Sequence, residues 1–67
     1  MIFEVQYKHK KDAANRNAVI HMEFFESDEV PDKTTVIGKL TEMRKDFAES
    51  TVTISKSQRS CVRVTQL

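Results

Sequence analysis

The chain is short of the residues that usually announce a function. Among its 67 residues there is one cysteine, Cys61, one glycine, Gly38, one proline, Pro31, and no tryptophan. A lone cysteine excludes an intrachain disulfide, and with only His9 and His21 beside it the chain has no Cys/His set at zinc spacing. A single glycine excludes the Gly-rich phosphate loops of nucleotide-binding proteins, whose backbones need several positions without a Cβ. No apolar run exceeds three residues, as in Ala18-Val19-Ile20, which is far short of a membrane-spanning helix. The opening Met1-Ile2-Phe3-Glu4 has neither the basic nor the apolar region of a secretory signal, so a cytoplasmic, intracellular protein is the expectation. Eleven Lys and Arg against ten Asp and Glu give a net charge of +1, without the basic excess of a dedicated nucleic-acid binder.

What is there fits one domain over residues 1–67. A core this small barely offsets the conformational entropy of folding, and with no disulfide or metal staple, self-association is the common remaining reinforcement. A homodimer is therefore a further expectation.

Periodicity predicts the elements. Residues 2–8 alternate, with Phe3, Val5 and Tyr7 on one side and Glu4, Gln6 and Lys8 on the other, the pattern of a half-buried strand. A polar stretch from His9 to Asn17 separates it from a second alternating segment, Ala18–Phe25, in which Ala18, Ile20, Met22 and Phe24 are in step. The pair reads as a hairpin with a long loop. The acidic "ESDEVPDK" at 26–33 is a connector, and Val36, Ile37, Leu40, Met43 and Phe47 then form one stripe at helical spacing over about 34–48. Asp32 or Thr34 is placed to cap that helix, Arg44 and Lys45 lie toward its end, and Gly38 suggests close packing on the sheet. Residues 51–55 and 60–65 are short strands joined by a turn at 56–59, with Val52, Ile54, Val62 and Val64 inward. The predicted fold is α+β, in the order β-β-α-β-β: a four-stranded, largely antiparallel sheet with one helix packed on one face.

Candidate chemistry is thin. Cys61 and His21 are both predicted on the open sheet face, the minimum for an activated thiolate, but no orienting carboxylate accompanies them. The run Glu23, Glu26, Asp28, Glu29 lacks the spacing of a calcium loop and reads as a solvated connector. No catalytic, cofactor or metal residue is assigned, and the expectation is a protein that is not an enzyme.

Two surfaces are candidates for binding. The first is a basic end formed by Lys8, His9, Lys10, Lys11, Arg16, Arg44 and Lys45, because the hairpin loop and the helix C-terminus fall at the same pole of the predicted topology. The second is the open sheet face, with Val19, His21, Phe25 and Arg63 as its docking residues. The expected function is a small non-catalytic binding protein of the regulator or inhibitor type that docks on a protein partner, as an accessory protein of a virus or mobile element does. The alternative is a nucleic-acid-binding domain using the basic loop and helix end.

Overall fold

A computed structural model describes residues 1–67. β1 spans Ile2–Tyr7, β2 His21–Glu26, α1 Lys33–Glu42, β3 Thr53–Lys56 and β4 Thr65–Gln66, with 3₁₀ turns at Lys10–Asp12 and Glu49–Thr51. The sheet order is β3-β1-β2-β4. β1 is antiparallel to both neighbours and β4 is parallel to β2. The α+β class, the element order and the first hairpin thus match the reading of the sequence.

The second hairpin does not form. β3 and β4 lie at opposite edges of the sheet, and residues 57–64 cross between them. Val62 and Val64, expected inside a strand at 60–65, precede a two-residue β4 and are half-buried. The α1 connection and the 57–64 connection cross β1 in opposite directions, and the right-handed rule for crossovers puts them on opposite faces. A shallow cleft between Glu4, Ser55, Gln58 and Arg59 sits on the face away from α1, in accord. The open sheet face of the predicted fold is therefore partly roofed by the chain itself.

The core lies between α1 and the other face. Phe3, Val5 and Tyr7 alternate inward along β1, Phe25 comes from β2, Val36 and Leu40 one turn apart from α1, and Phe47, Ala48 and Val52 from the segment that follows. β2 is one residue out of step with the expected alternation. Its Cα partners Phe3↔Phe25, Val5↔Glu23 and Tyr7↔His21 share faces, so His21, Glu23 and Phe25 point to the α1 side while Met22 and Phe24 point away. A one-residue slip of this kind exchanges the two faces of a strand completely.

α1 begins at Asp32, whose carboxylate accepts the Thr35 N–H at 2.9 Å. Hydrogen bonds from Thr35, first its side chain and then its backbone, hold the Asp32 carboxyl below its ordinary value. The helix stops at Glu42, short of the predicted 48. There the Arg44 N–H donates to the Thr41 carbonyl at 2.9 Å and the Lys45 N–H to the Leu40 carbonyl at 3.0 Å, a Schellman ending in which Arg44 takes φ 60°. That left-handed conformation costs a side-chain-bearing residue about 1 kcal/mol. Arg44→Gly is accordingly expected to raise the melting temperature by roughly 4–8 °C, followed by circular dichroism. Gly38 does not mark close packing. A Cβ there meets nothing within 4 Å.

Candidate functional site

Backbone polarity along β2 follows from its two ends. Met1 and Ser27 exchange both bonds, the Ser27 N–H donating to the Met1 carbonyl at 3.0 Å and the Met1 ammonium to the Ser27 carbonyl at 2.9 Å. Bonding and non-bonding pairs alternate in an antiparallel ladder, so Phe25, Glu23 and His21 also turn their N–H and C=O groups toward β1. Met22, Phe24 and Glu26 turn theirs to the other side. The Glu26 carbonyl does accept from that side, from the Leu67 N–H at 3.2 Å. β4, however, pairs only with Phe25 and Glu26. The Phe25–Thr65 pairing also engages the outward Phe24 carbonyl, so the free part of the outer edge is residues 21–23 and the Phe24 N–H.

This free edge is apolar. Val19 is 70% exposed, Ile20 45% and Met22 39%. The opposite edge of the sheet, β3, is different in kind: it reads Thr-Ile-Ser-Lys, carries a charge at Lys56, and has only the half-buried Ile54 as an apolar residue. Charged side chains of this sort protect a strand edge from pairing, and β2 has none pointing outward beside Met22.

On the α1 side of β2 the polar residues have partners. His21 lies against His9 with ring centroids 3.8 Å apart and planes within 6°, and against Tyr7 at 5.6 Å and 25°. Tyr7 in turn meets the edge of Phe47 at 6.4 Å. Asp46 anchors the far side of this stack: its carboxylate stands 3.7 Å from His9 Nδ1 and accepts the Lys10 N–H at 3.3 Å. Glu23 pairs with Lys45 at 3.3 Å. Burial pushes the Tyr7 hydroxyl above its ordinary pKa, and the Glu23 carboxylate adds to the effect.

The Tyr7 shift gives a pH dependence of defined sign. A folded-state pKa above the unfolded value of about 10 means that the neutral phenol contributes stability below that pH, and the contribution is lost as pH rises through the folded value. Tyr7→Phe is expected to change stability little at pH 7 and to lose less than the parent protein as pH rises above about 10, measured by urea denaturation at each pH.

Some of the residues expected at a basic end are brought together. Lys10 and Lys45 line one cleft with Ile37, Thr41, Phe47, Ala48 and Glu49, joining the hairpin loop to the end of α1. Their charge is partly committed: Lys8 Nζ donates to the Asn15 carbonyl at 2.7 Å and Lys45 to Glu23. His9 belongs to the ring stack. Lys10, Lys11, Arg16 and Arg44 are exposed.

The sheet-face candidates are corrected. Phe25 is fully buried in the core with Val5, Tyr7 and the α1 residues Val36 and Leu40, and His21 faces the same side; neither is on the open face. Val19 and Arg63 are exposed, Val19 just before β2 and Arg63 in the crossover. Cys61 is exposed in that crossover and outside any strand, so the shared strand face assumed for it with His21 does not exist. The sequence reading missed Ile20 and Met22 because both were assigned to the core. No helix of the chain is long and apolar enough to cross a membrane. Comparison with family models, curated proteins and solved structures gives no match.

Proposed function

We propose that the chain is a small non-catalytic binding protein of the regulator or inhibitor type that docks on a protein through the outer edge of β2. One observation carries this reading. The outward-turned N–H and C=O of Met22 and the N–H of Phe24 are unpaired by any strand and bordered by the exposed side chains of Val19, Ile20 and Met22. An extended segment of a partner adds to such an edge by main-chain hydrogen bonds, with apolar contacts on alternate residues. The exposed Lys10 and Lys11, in the loop that leads into β2, supply charge that steers an acidic partner.

The edge reading is tested by immobilising the protein and a Met22→Lys variant and comparing what each retains from a lysate of the source cells. The reading expects a protein retained by the parent chain and lost with Met22→Lys, while a Lys10→Glu/Lys11→Glu variant retains it in reduced amount. Equal retention by parent and Met22→Lys contradicts it. A second reading, nucleic-acid binding, draws on the exposed Lys10, Lys11, Arg16 and Arg44 at one pole. It expects retardation of labelled RNA or DNA that the Lys10→Glu/Lys11→Glu change removes and Met22→Lys leaves intact.

A further inference from the structure

Resting on the β2 edge as the docking surface, we propose that its occupant is a second copy of this chain, paired antiparallel about a two-fold axis at Met22. Three features of the edge lead to this partner and this register.

The first is side-chain matching. The outward N–H and C=O of Met22 require a bonded pair at even-numbered positions, so registers differ in steps of two residues. With Met22 opposite Met22 of the second copy, Ile20 faces Phe24 and His21 faces Glu23, once on each side of the axis. The apolar residues then meet on one face and each imidazole meets a carboxylate on the other. Glu23 keeps 23% of its side chain exposed beside Lys45, which leaves it able to accept from a second donor. Sliding the strands one step sets His21 against His21, and one step the other way sets Glu23 against Glu23. Glu23 against Glu23 sets like charges directly opposite, which is destabilising, and His21 against His21 forgoes the imidazole–carboxylate pairs, so the central register is selected.

The second is the distribution of charge over the whole chain. The top of β2 adjoins the loop carrying Lys10, Lys11 and Arg16, and its bottom runs into Glu26, Asp28 and Glu29. Antiparallel pairing brings the basic end of each copy alongside the acidic end of the other. β4 limits the ladder, since it engages the Phe24 carbonyl and covers the edge beyond it, and the strand contact is therefore centred on residues 21–23.

The third is size. Only nine residues of 67 are buried in the single chain, all of them apolar, and domains this small commonly gain stability by association. Joining the β2 edges makes one continuous sheet in which β3-β1-β2 is followed by its symmetry mate, each β2 keeping its own β4 beside Phe25 and Glu26, with both helices on the same face.

The register makes residue 22 its own neighbour, and this supplies the test. By analytical ultracentrifugation the parent chain is expected to sediment at twice the monomer mass at tens of micromolar and to dissociate on dilution. Met22→Lys and Met22→Glu are each expected to be monomeric, because two like charges meet at the axis, and to keep the parent's circular dichroism because Met22 is on the surface. Mixing the two variants is expected to restore the dimer as a Lys/Glu heterodimer. A parent chain that stays monomeric to millimolar concentration overturns self-pairing. So does a dimer that neither Met22 variant weakens, or variants whose mixture remains monomeric. These outcomes are separate from the fate of the docking reading itself, which stands or falls on whether Met22→Lys abolishes retention of a different protein.

Discussion

Phe25→Ala is expected to leave the chain largely unfolded at 25 °C. Removing a fully buried phenylalanine costs about 3–5 kcal/mol through lost transfer energy and the cavity left behind. Stability of about 0.05–0.15 kcal/mol per residue leaves a chain of this length only roughly 3–10 kcal/mol in total. Phe25 is fully buried in the cluster formed with Val5, Tyr7, Val36, Leu40, Phe47 and Val52, so its loss opens the centre of the only core. Phe24→Ala is expected to cost less than half as much, since that ring is half-buried on the other face. Urea denaturation of the two variants distinguishes the registers directly. Equal losses, or a larger loss for Phe24→Ala, contradict the observed facing of β2.

The second large effect concerns proline. At Met22 the N–H points away from β1, so proline there removes no ladder bond within the chain, the situation in which strands tolerate it. One residue on, at Glu23, the N–H belongs to the β1 ladder, and proline costs about 3 kcal/mol or more. Met22→Pro is therefore expected to fold and Glu23→Pro to be unfolded or nearly so. In the paired edge the consequences reverse. Met22→Pro removes both bonds across the axis and leaves two carbonyls facing each other without donors, at about 1–3 kcal/mol each. Dissociation is expected to strengthen by at least about 100-fold, read by sedimentation of the folded variant beside the parent. A Met22→Pro chain that remains dimeric means that the main chain at Met22 is not part of the contact.

Much of the fold was legible in the sequence. β1 alternates without ambiguity because Phe3, Val5 and Tyr7 are separated by strongly polar residues, and α1 announces itself through Asp32 and the Val36/Leu40 spacing. β2 was not legible, for a physical reason. Both phases of Ala18–Phe25 contain apolar residues, and the phase with Ile20, Met22 and Phe24 is the more hydrophobic. The phase adopted instead brings Phe25 into the core and carries His21 and Glu23 inward, where His9, Tyr7 and Lys45 provide partners far away in sequence. Such partners outweigh local pattern only once the chain has folded, so the pattern alone misassigns the faces.

The other misses share this non-local origin. A helix end at Arg44 lacks the glycine that usually marks it, because an arginine holds the left-handed turn. β4 is two residues long and pairs across the sheet from β3, which no spacing within 51–67 reveals. Phe47 fits a helical stripe yet reaches the core from beyond the helix, its ring edge against Tyr7.

The misassigned strand is also where the candidate site lies. Ile20 and Met22 look like core residues by period and are exposed in the fold, and disagreement of this sort between local pattern and final structure concentrates at functional surfaces. The basic residues after Tyr7 are divided in the same way: Lys8 and His9 secure the loop and the ring stack, while Lys10 and Lys11 remain exposed.

Amide hydrogen exchange followed by NMR at two protein concentrations tests the docking edge most directly. His21 and Glu23 donate to β1 and are expected to be protected at both concentrations, while Met22 and Phe24 exchange rapidly in dilute solution and become protected at high concentration as the edges pair. Rapid exchange of Met22 and Phe24 at every concentration, or protection of Met22 in the dilute monomer, contradicts the free, self-pairing edge.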